Sequence, residues 1–394
     1  MGRKKSTRTC PICQQTGMKR NGVTSSGKIR WRCTQCGASS SHHRPDISQK
    51  AVFTSFLDWL MGKNSQPQVS SSFTERTFRT RISWCWQVKP RIPMTGEIYN
   101  QVQIDGTYLP YDWCLLVALA QGKVIAWQWC DKENKNAYHA LLSRLANPLM
   151  VVTDGHAAAL TEISNCWPDT RVQRCLVHIK RSIRTCTSMH PKLPATQALW
   201  GLAKQLVTVR TVEQSAYWLT LLHKFYEQFA PWLNEKTWRR NTLPGDIPHW
   251  VKSTQEWWWT HYNARRAYKT LEKLAQEGTL FTFLDPELIA QTHENLASTT
   301  NALEGGVNAQ IKNLVRYHRG LSEDHMRRAV EWWCYLHSPN PQNPISLLCQ
   351  TDLKLHKKQE TIEPETGPAH IDTAIDLTHT DYLPGISIRK GHMG

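Results

Sequence analysis

The sequence predicts a multidomain α+β protein, because three different patterns follow one another along its 394 residues. Pairs of cysteines within a short basic stretch at the N-terminus indicate a small metal-bound module. Apolar runs of strand length begin at residue 98 and alternate with amphipathic stretches, which predicts a mixed α/β core. Residues 190–295 have helical periodicity and contain eight of the 18 tryptophans, so we expect an all-α insertion in that core.

The positive charge of the chain is concentrated near its N-terminus. The formal net charge is +16. Residues 1–50 carry eleven Lys and Arg against one acid, and residues 51–92 carry six against two, so 14 of the 16 excess charges lie there. A basic block of this density is what binding to a nucleic-acid backbone requires, and a merely solvated basic arm is the alternative.

Targeting signals are not evident in the sequence. The basic N-terminus is not followed by an apolar run, so we expect no secretory leader. The longest apolar stretch, residues 113–120, is far too short to span a bilayer. Twelve cysteines in such a chain indicate a reducing compartment, where thiolates bind metal instead of forming disulfides.

Residues 1–46 are predicted to form a zinc ribbon. Two Cys-x-x-Cys knuckles, separated by nineteen residues, supply the four ligands of a tetrahedral structural Zn²⁺ site: Cys10, Cys13, Cys33 and Cys36. The residues between the knuckles fit a β-hairpin, and the metal would supply the folding energy of so small a module. Arg30 and Arg32 on this hairpin favour contact with DNA over contact with protein.

Residues 47–92 are predicted to form a helix-turn-helix DNA-binding domain. Three stretches have helical spacing: residues 51–60, 66–72 and 74–84. The last is amphipathic, with Phe78 and Ile82 inward and three arginines outward: Arg76, Arg79 and Arg81. We expect this helix to lie in the major groove, and a plain helical linker is the alternative.

The core is predicted to begin at residue 93 and to run, in its first part, to residue 190. Three strand-like runs come first: residues 102–109, 113–120 and 123–130. A helix, a strand, a helix and a fifth strand follow: residues 136–145, 149–154, 157–165 and 170–177. This order is that of a ribonuclease H-like fold, which places one acid mid-sheet on the first strand and one at the end of the fourth. Asp105 and Asp154 fall at these two positions.

A third acid, Glu304, lies on a helix predicted from residue 298 to about residue 315, with Asn301 and Asn308 on the same face. A buried carboxylate is costly unless a cation meets it, and a divalent metal is the commonest such partner. Asp105, Asp154 and Glu304 could therefore hold two Mg²⁺ ions for phosphoryl transfer. Taken singly, an Asp-Gly pair is more often a turn, and Glu304 could be a solvated helix residue.

The remaining boundaries follow from composition. We expect the helical insertion at residues 191–297 and the final helices of the core, with Glu304, at residues 298–337. Residues 338–394 contain Pro, Thr and Asp without periodicity, which predicts a poorly ordered tail.

Four blocks of the sequence resemble the signatures of Mutator-type transposases of bacterial insertion sequences: Asp105-Gly-Thr-Tyr108, Thr153-Asp-Gly-His156, Gln173-Arg-Cys-Leu-Val-His178 and Thr300-Asn-Ala-Leu-Glu304. The resemblance covers roughly residues 1–337. It implies a ribonuclease H-like core interrupted by a helical insertion, with Asp105, Asp154 and Glu304 as a catalytic, metal-binding DDE triad. Supporting roles would fall to four residues of these blocks: Cys175, His178, His156 and Asn301.

The resemblance also implies a function. The zinc ribbon and helix-turn-helix would bind double-stranded DNA at the terminal inverted repeats of the element. Two Mg²⁺ ions, or Mn²⁺ in their place, would promote in-line attack of water or a 3′-hydroxyl on a phosphodiester. Asp105 would contact both ions, and Asp154 and Glu304 one each. We expect a homodimer that cuts two ends together and acts on target DNA, with a cytoplasmic, nucleoid-associated location and no membrane partner.

Several alternatives stay open from the sequence. The chain could be a DNA-binding regulator derived from a transposase, although the intact acids argue against this, or a structure-selective nuclease of the same fold. Cys175 and His178 could instead form a second zinc site with three other residues: Cys166, Cys186 and His190. His156 could touch phosphate or simply begin a helix. One tryptophan of the insertion could stack on a flipped base or hairpin end, while most must be core.

Overall fold

The computed structural model describes residues 8–348, apart from positions 11, 14, 26, 42–44, 65, 70–73 and 94, and it confirms the mixed α+β class. The described residues form two compact units. We call residues 8–92 with residues 310–348 the N-terminal unit, and residues 93–309 the central unit. Most of the predicted tail, residues 349–394, lies outside the described residues.

The N-terminal unit begins with a three-stranded antiparallel sheet in the order β1-β2-β3. Its strands are β1 (Met18–Val23), β2 (Ile29–Cys33) and β3 (Ser39–Ser41). The predicted hairpin between the knuckles is present, since Met18 of β1 pairs with Cys33 of β2. Gly27 takes a φ of 75° in the connecting turn, a conformation that glycine adopts without steric cost. Cys10, Met18 and Cys33 are the buried residues of a very small core.

Three helices follow the ribbon: α1 (Pro45–Met61), α2 (Gln66–Val69) and α3 (Glu75–Ile82). Thr74 begins α3, because its side chain accepts a hydrogen bond from the backbone N–H of Thr77. Phe78 and Ile82 are buried, as the amphipathic pattern predicts. The chain then continues into a 3₁₀ turn (Ser83–Gln87).

A five-stranded mixed sheet organises the central unit. Its strands are β4 (Gln101–Leu109), β5 (Trp113–Ala120), β6 (Lys123–Cys130), β7 (Met150–Thr153) and β8 (Arg171–Arg174), in the order β6-β5-β4-β7-β8. The first three strands pair antiparallel, whereas β7 and β8 run parallel to β4. Helices α4 (Lys135–Leu142) and α5 (Ala157–Cys166) connect β6 to β7 and β7 to β8.

The fifth strand is shorter than predicted. It ends at Arg174 instead of residue 177, and α6 (Leu176–Thr187) begins after Cys175. Cys175 therefore precedes a helix, and His178 lies on that helix. Buried apolar side chains recur at helical spacing along α6, at Leu176, Ile179 and Ile183. The apolar run at the start of α6 is too short to show either a helical or a strand period, so the sequence does not distinguish it from the end of a strand.

The insertion is mainly but not entirely helical. Its elements are α7 (Pro194–Leu206), α8 (Val212–Leu233), β9 (Lys236–Trp238), β10 (Trp257–Trp259), α9 (Tyr262–Gln276) and α10 (Pro286–Thr292). The expectation of an all-α insertion is therefore wrong, because β9 and β10 pair antiparallel with Trp238 opposite Trp257. Nor is its core separate, since buried residues of α7, α8 and α9 form one cluster with Met150 of β7 and Ile179 of α6.

The segment that carries Glu304 is a π-helix (Ala302–Asn308) and not the predicted regular α-helix. The tandem glycines Gly305 and Gly306 lie inside it, and their low preference for the α-helix favours this wider local winding. Helices α11 (Ala309–Tyr317) and α12 (Glu323–Leu336) follow.

The last helix packs within the N-terminal unit. The ring of Trp332 on α12 lies edge-on to Phe53 of α1, with centroids 5.4 Å apart, and His318 Nε2 lies 2.8 Å from the carbonyl oxygen of Leu60. The sequence grouped residues 298–337 with the α/β core, whereas the structure assigns the part from residue 310 to the N-terminal unit. Across the described residues, no helix combines the length and apolar character needed to cross a membrane.

Candidate active site

Two neighbouring parallel strands carry Asp105 and Asp154. Gln103 of β4 is paired with Val152 of β7, so Asp105 in the middle of β4 lies beside Asp154, which directly follows β7. Adjacent strands are about 4.8 Å apart, which brings the two carboxylates into one small region. We call this region, together with Glu304, the candidate active site.

The pKa of Asp105 is raised to about 7, chiefly by burial, and the negative charges of Asp154, Glu304 and Glu133 contribute to this rise. His178 acts in the opposite direction, because a cation favours the ionised carboxyl. Asp154 and Glu304 thus each lie within electrostatic range of Asp105. Such mutual repulsion is the condition that a bound cation relieves.

Asn308 holds the carboxylate of Asp105. Its Nδ2 donates a hydrogen bond to Asp105 Oδ2 at 2.9 Å, across 203 positions of sequence. Its Oδ1 is buried and has no hydrogen-bond partner among the described residues. Asn301, which the resemblance implies as a supporting residue, is exposed, and its N–H points to Thr299 Oγ1. Of the two asparagines, it is Asn308 that the structure brings into contact with Asp105.

Glu304 is held by helix α6. Its Oε2 accepts a hydrogen bond from Arg181 Nη1 at 2.5 Å, and its Oε1 lies 3.4 Å from His178 Nδ1. His178 and Arg181 are three positions apart, so both project from one face of α6. The two side chains offset the negative charge of Glu304. No sequence motif points to Arg181, since a lone arginine on a basic amphipathic helix is ordinarily solvated.

Cys175 ties the start of α6 to the segment before Glu304. Its sulfur accepts hydrogen bonds from both the N–H and the Oγ1 of Thr300, each at 3.3 Å. Burial alone raises the pKa of Cys175, but hydrogen bonds with His178 and Thr300 outweigh it and lower the pKa overall. The pKa of His178 is raised to about 9, chiefly by its hydrogen bond with Cys175 and also by the charges of Glu304 and Asp105. The Cys-x-x-His block therefore links two distant segments and places a cation beside Glu304.

Glu133 is a fourth acid near the site that sequence reasoning missed. It follows β6 and accepts a hydrogen bond from the hydroxyl of Tyr138. A Cβ built on Gly106 would lie 2.7 Å from Glu133 Oε1, so the glycine after Asp105 leaves room for this side chain. This close approach is a physical reason for the Asp-Gly sequence on β4.

Asp154 is fixed by the turn that follows it. Its Oδ1 accepts a hydrogen bond from the N–H of His156 at 2.8 Å, and its carbonyl accepts one from Arg174 at 2.9 Å. His156 directly precedes α5, is exposed, and stacks loosely on Tyr138. Gly155 takes a φ of 86°, and a Cβ built there would overlap the guanidinium of Arg174. The Thr-Asp-Gly-His and Gln-Arg-Cys blocks are thus in direct contact through Arg174.

The Gly155→Ala variant is expected to be clearly destabilised. The left-handed backbone alone costs a non-glycine residue about 1–2 kcal/mol, and Arg174 must also leave its place. Gly122→Ala is the matched control, because Gly122 has a similar φ of 74° with nothing within 4 Å of its added Cβ. Urea denaturation should show a larger loss of unfolding free energy for Gly155→Ala than for Gly122→Ala. Equal losses would mean that Arg174 does not press on Gly155.

The donor set of the candidate active site suits Mg²⁺. Carboxylate and amide oxygens are the hard ligands that this ion prefers, and the buried Oδ1 of Asn308 adds one to the three carboxylates. Cys175, His178 and Glu304 also bring one ligand atom each within 4.8 Å of one another, but a thiol and an imidazole suit softer ions.

The four ribbon cysteines form a cluster that could bind structural zinc. Their sulfurs all lie within 4.8 Å of one another, with Cys10 and Cys36 at 3.6 Å and Cys13 and Cys33 at 3.5 Å. A tetrahedral zinc ion with Zn–S bonds of about 2.3 Å places its sulfurs about 3.8 Å apart. Backbone N–H groups of Cys36 and Gln35 lower the pKa of Cys33 to about 6, which favours the thiolate that zinc requires.

The predicted DNA-contacting arginines lie on exposed faces of the N-terminal unit. Arg30 and Arg32 alternate with half-buried Trp31 along β2. The three arginines of α3 are exposed: Arg76, Arg79 and Arg81. Arg79 is paired with Glu75 at 3.1 Å within the same helix.

The alternative zinc site built on Cys175 and His178 is wrong. Cys166 lies 3.4 Å from His139 Nδ1, whereas the sulfur of Cys186 lies 3.2 Å from Arg266 Nη2. Cys175 instead contacts Thr300. These thiols face different neighbours and do not share a cation.

Comparison with known proteins gives two matches. Residues 117–256 match the family model described as Transposase, Mutator family. This range includes Asp154 and the Cys-x-x-His block, but neither Asp105 nor Glu304. The transposase for insertion sequence element IS905 of Lactococcus lactis subsp. lactis (strain IL1403) is 33% identical over 101 residues, which is 22% of this chain and 26% of that protein. The chain thus matches about a quarter of the length of this curated relative.

Proposed function

Because both matches confirm that this chain resembles the Mutator-type transposases of insertion sequences, we propose that it is a DDE transposase. It would bind the double-stranded DNA ends of its element and catalyse Mg²⁺-dependent strand cleavage and strand transfer. The observation that carries this proposal is the electrostatic convergence of Asp154 and Glu304 on Asp105. The Asn308–Asp105 hydrogen bond supports it, since it joins the segment of Glu304 directly to β4.

A ribonuclease H-like core is part of this proposal. The sheet order β6-β5-β4-β7-β8, with three antiparallel strands followed by two parallel ones, supports it. In this arrangement the first acid lies on the central strand and the second at the end of its parallel neighbour. Asp154 thus lies beyond the carboxyl end of its strand, where open α/β sheets bind their ligands, and Asp105 lies beside it.

The catalytic roles follow from how each acid is held. When bound, Mg²⁺ would activate the attacking oxygen and stabilise the leaving one. Asp105, oriented by Asn308, would hold the ions together with Asp154 and Glu304. The fixed carboxylates would align the scissile phosphodiester for in-line displacement by water or a 3′-hydroxyl. Arg181 and His178 would hold Glu304 in place and offset its negative charge until a metal ion binds.

The N-terminal unit would supply DNA recognition. Arg30 and Arg32 on the ribbon, and Arg76 and Arg81 on α3, offer cations to phosphates, and α3 would enter the major groove of the element end. Cutting two ends together requires two active sites, so we propose a homodimer.

The insertion would add an aromatic contact to DNA. Among its tryptophans, Trp238 and Trp250 have the most exposed side chains, at 37% and 42%, and the guanidinium of Arg240 lies over the ring of Trp238. Exposed rings beside cations suit stacking on an unpaired base, which contributes about 1–3 kcal/mol per base.

Trp238→Ala should therefore weaken binding to DNA with a single-stranded end by about tenfold or more, with a smaller effect on blunt duplex. Fluorescence anisotropy with both DNAs measures the difference. Tyr217→Ala is the matched control, since Tyr217 is an exposed aromatic on α8, at 65%. Equal weakening in both variants would assign no stacking role to Trp238.

The whole proposal is tested with DNA that flanks the coding sequence of the protein itself. Full-length protein and Mg²⁺ should cleave this DNA at the element end, and EDTA should stop the reaction. A DNA-binding regulator would bind the same DNA without cutting it. A structure-selective nuclease would cut a shuffled sequence equally well, so either result would replace the proposed function.

A further inference from the structure

A second cluster of metal-ligating side chains lies outside the candidate active site, between helices α4 and α5. It consists of His139 on α4 and of Glu162 and Cys166 on α5. We propose that these three residues bind a zinc ion, in addition to the one expected in the ribbon.

The distances within the cluster fit one tetrahedral ion. His139 Nδ1 lies 3.2 Å from Glu162 Oε2 and 3.4 Å from Cys166 Sγ, and all three ligand atoms lie within 4.8 Å of one another. Zinc bonds of about 2.0–2.3 Å place neighbouring ligand atoms about 3.3–3.8 Å apart. His139 Nδ1 thus lies close to both of the other ligand atoms, as it must if all three bind the same cation.

Helix geometry explains why the three meet. Glu162 and Cys166 are four positions apart, so both project from one face of α5. That face lies against α4, where His139 stands. Glu162 is only 7% exposed, and a buried carboxylate is unfavourable without a cationic partner. Its other oxygen accepts a hydrogen bond from Asn165 Nδ2 at 3.2 Å, which orients the carboxylate toward His139.

The donor types select the metal. One nitrogen, one carboxylate oxygen and one sulfur form a mixed set that suits Zn²⁺, whereas Mg²⁺ and Ca²⁺ prefer oxygens alone. The side chain of His139 is 43% exposed, so water can reach a fourth coordination position. The ion would join α4 to α5, the helix that begins directly after the Asp154 turn. Without metal, the same contacts would be only a His–Glu hydrogen bond beside a thiol.

Metal analysis of full-length, tag-free protein distinguishes a bound zinc ion from a metal-free His–Glu hydrogen bond. Wild type should contain two equivalents of zinc per chain, and His139→Gln and Cys166→Ser should each contain one. Two controls should retain both equivalents. Cys186→Ser removes a partly buried thiol outside the cluster, and Glu304→Gln removes an acid from the other mixed-donor group.

Two equivalents remaining in His139→Gln would overturn the proposal, as would a single equivalent in wild type or a loss confined to Glu304→Gln. A cobalt titration of zinc-depleted wild type gives a test that does not depend on the variants folding. The second equivalent of Co²⁺ should add about a quarter of the thiolate absorption produced by the four-cysteine site, because it binds one thiolate. Absence of this second step in the titration would also contradict the proposed site.

Discussion

The Asp105→Asn variant is expected to lose DNA cleavage by at least about a thousandfold while it still binds element-end DNA. Loss of a carboxylate that would hold the metal ions should remove several kcal/mol of transition-state stabilisation, and each 1.4 kcal/mol is about one decade in rate. Asparagine keeps the size of the side chain and can still bond to Asn308, so the fold should persist. Rates on end-containing DNA with Mg²⁺, together with anisotropy on the same DNA, measure the two effects separately.

Asp169→Asn is the matched control for this variant, because Asp169 is an exposed aspartate of the same unit that lies outside the four blocks. It should cleave at the wild-type rate. Undiminished cleavage by Asp105→Asn would contradict the catalytic assignment. Loss of cleavage accompanied by an equal loss of DNA binding would assign Asp105 a structural role instead.

The Cys33→Ser variant is expected to lose the fold of the ribbon. Structural zinc sites of this kind contribute about 10–16 kcal/mol of binding free energy that is also folding free energy. Cys33 lies on β2 and pairs with Met18, so the hairpin that carries Arg30 and Arg32 should become disordered. Affinity for element-end DNA should fall about tenfold or more at physiological salt, since phosphate contacts are lost.

Zinc content and anisotropy measure this effect, with Cys186→Ser as the control that keeps both properties. The variant should contain one zinc fewer than wild type, and its dependence of affinity on salt should be shallower. Wild-type affinity in a variant that has lost this zinc would show that the ribbon does not contact DNA.

Much of the central sheet could be predicted because its signals are local. Residues 113–120 and 123–130 match β5 and β6 to the residue, since each is a mainly apolar run of strand length bounded by turn residues. Gln121 and Gly122 both take positive φ in the connecting turn, as a tight hairpin requires. The four cysteines were found for a similar reason, because their spacing alone encodes a tetrahedral cluster.

Features that depend on distant contacts could not be predicted. Arg181 and Glu133 carry no motif, and only tertiary structure shows that they lie near the acids. Asn301 and Asn308 were equivalent on a helical wheel, yet Asn308 alone bonds to Asp105. The paired strands β9 and β10 have three residues each, which is too short for a strand period to be seen in the sequence, and eighteen residues separate them.

The most direct measurement is a crystal structure of the end-DNA complex with Mn²⁺ in place of Mg²⁺, using the anomalous signal of the metal. We expect anomalous peaks about 2.0–2.3 Å from carboxylate oxygens of Asp105, Asp154 and Glu304, with Glu304 released from Arg181. Peaks located elsewhere, or a Glu304 that stays bonded to Arg181 and touches no metal, would contradict a catalytic centre shared by these three acids.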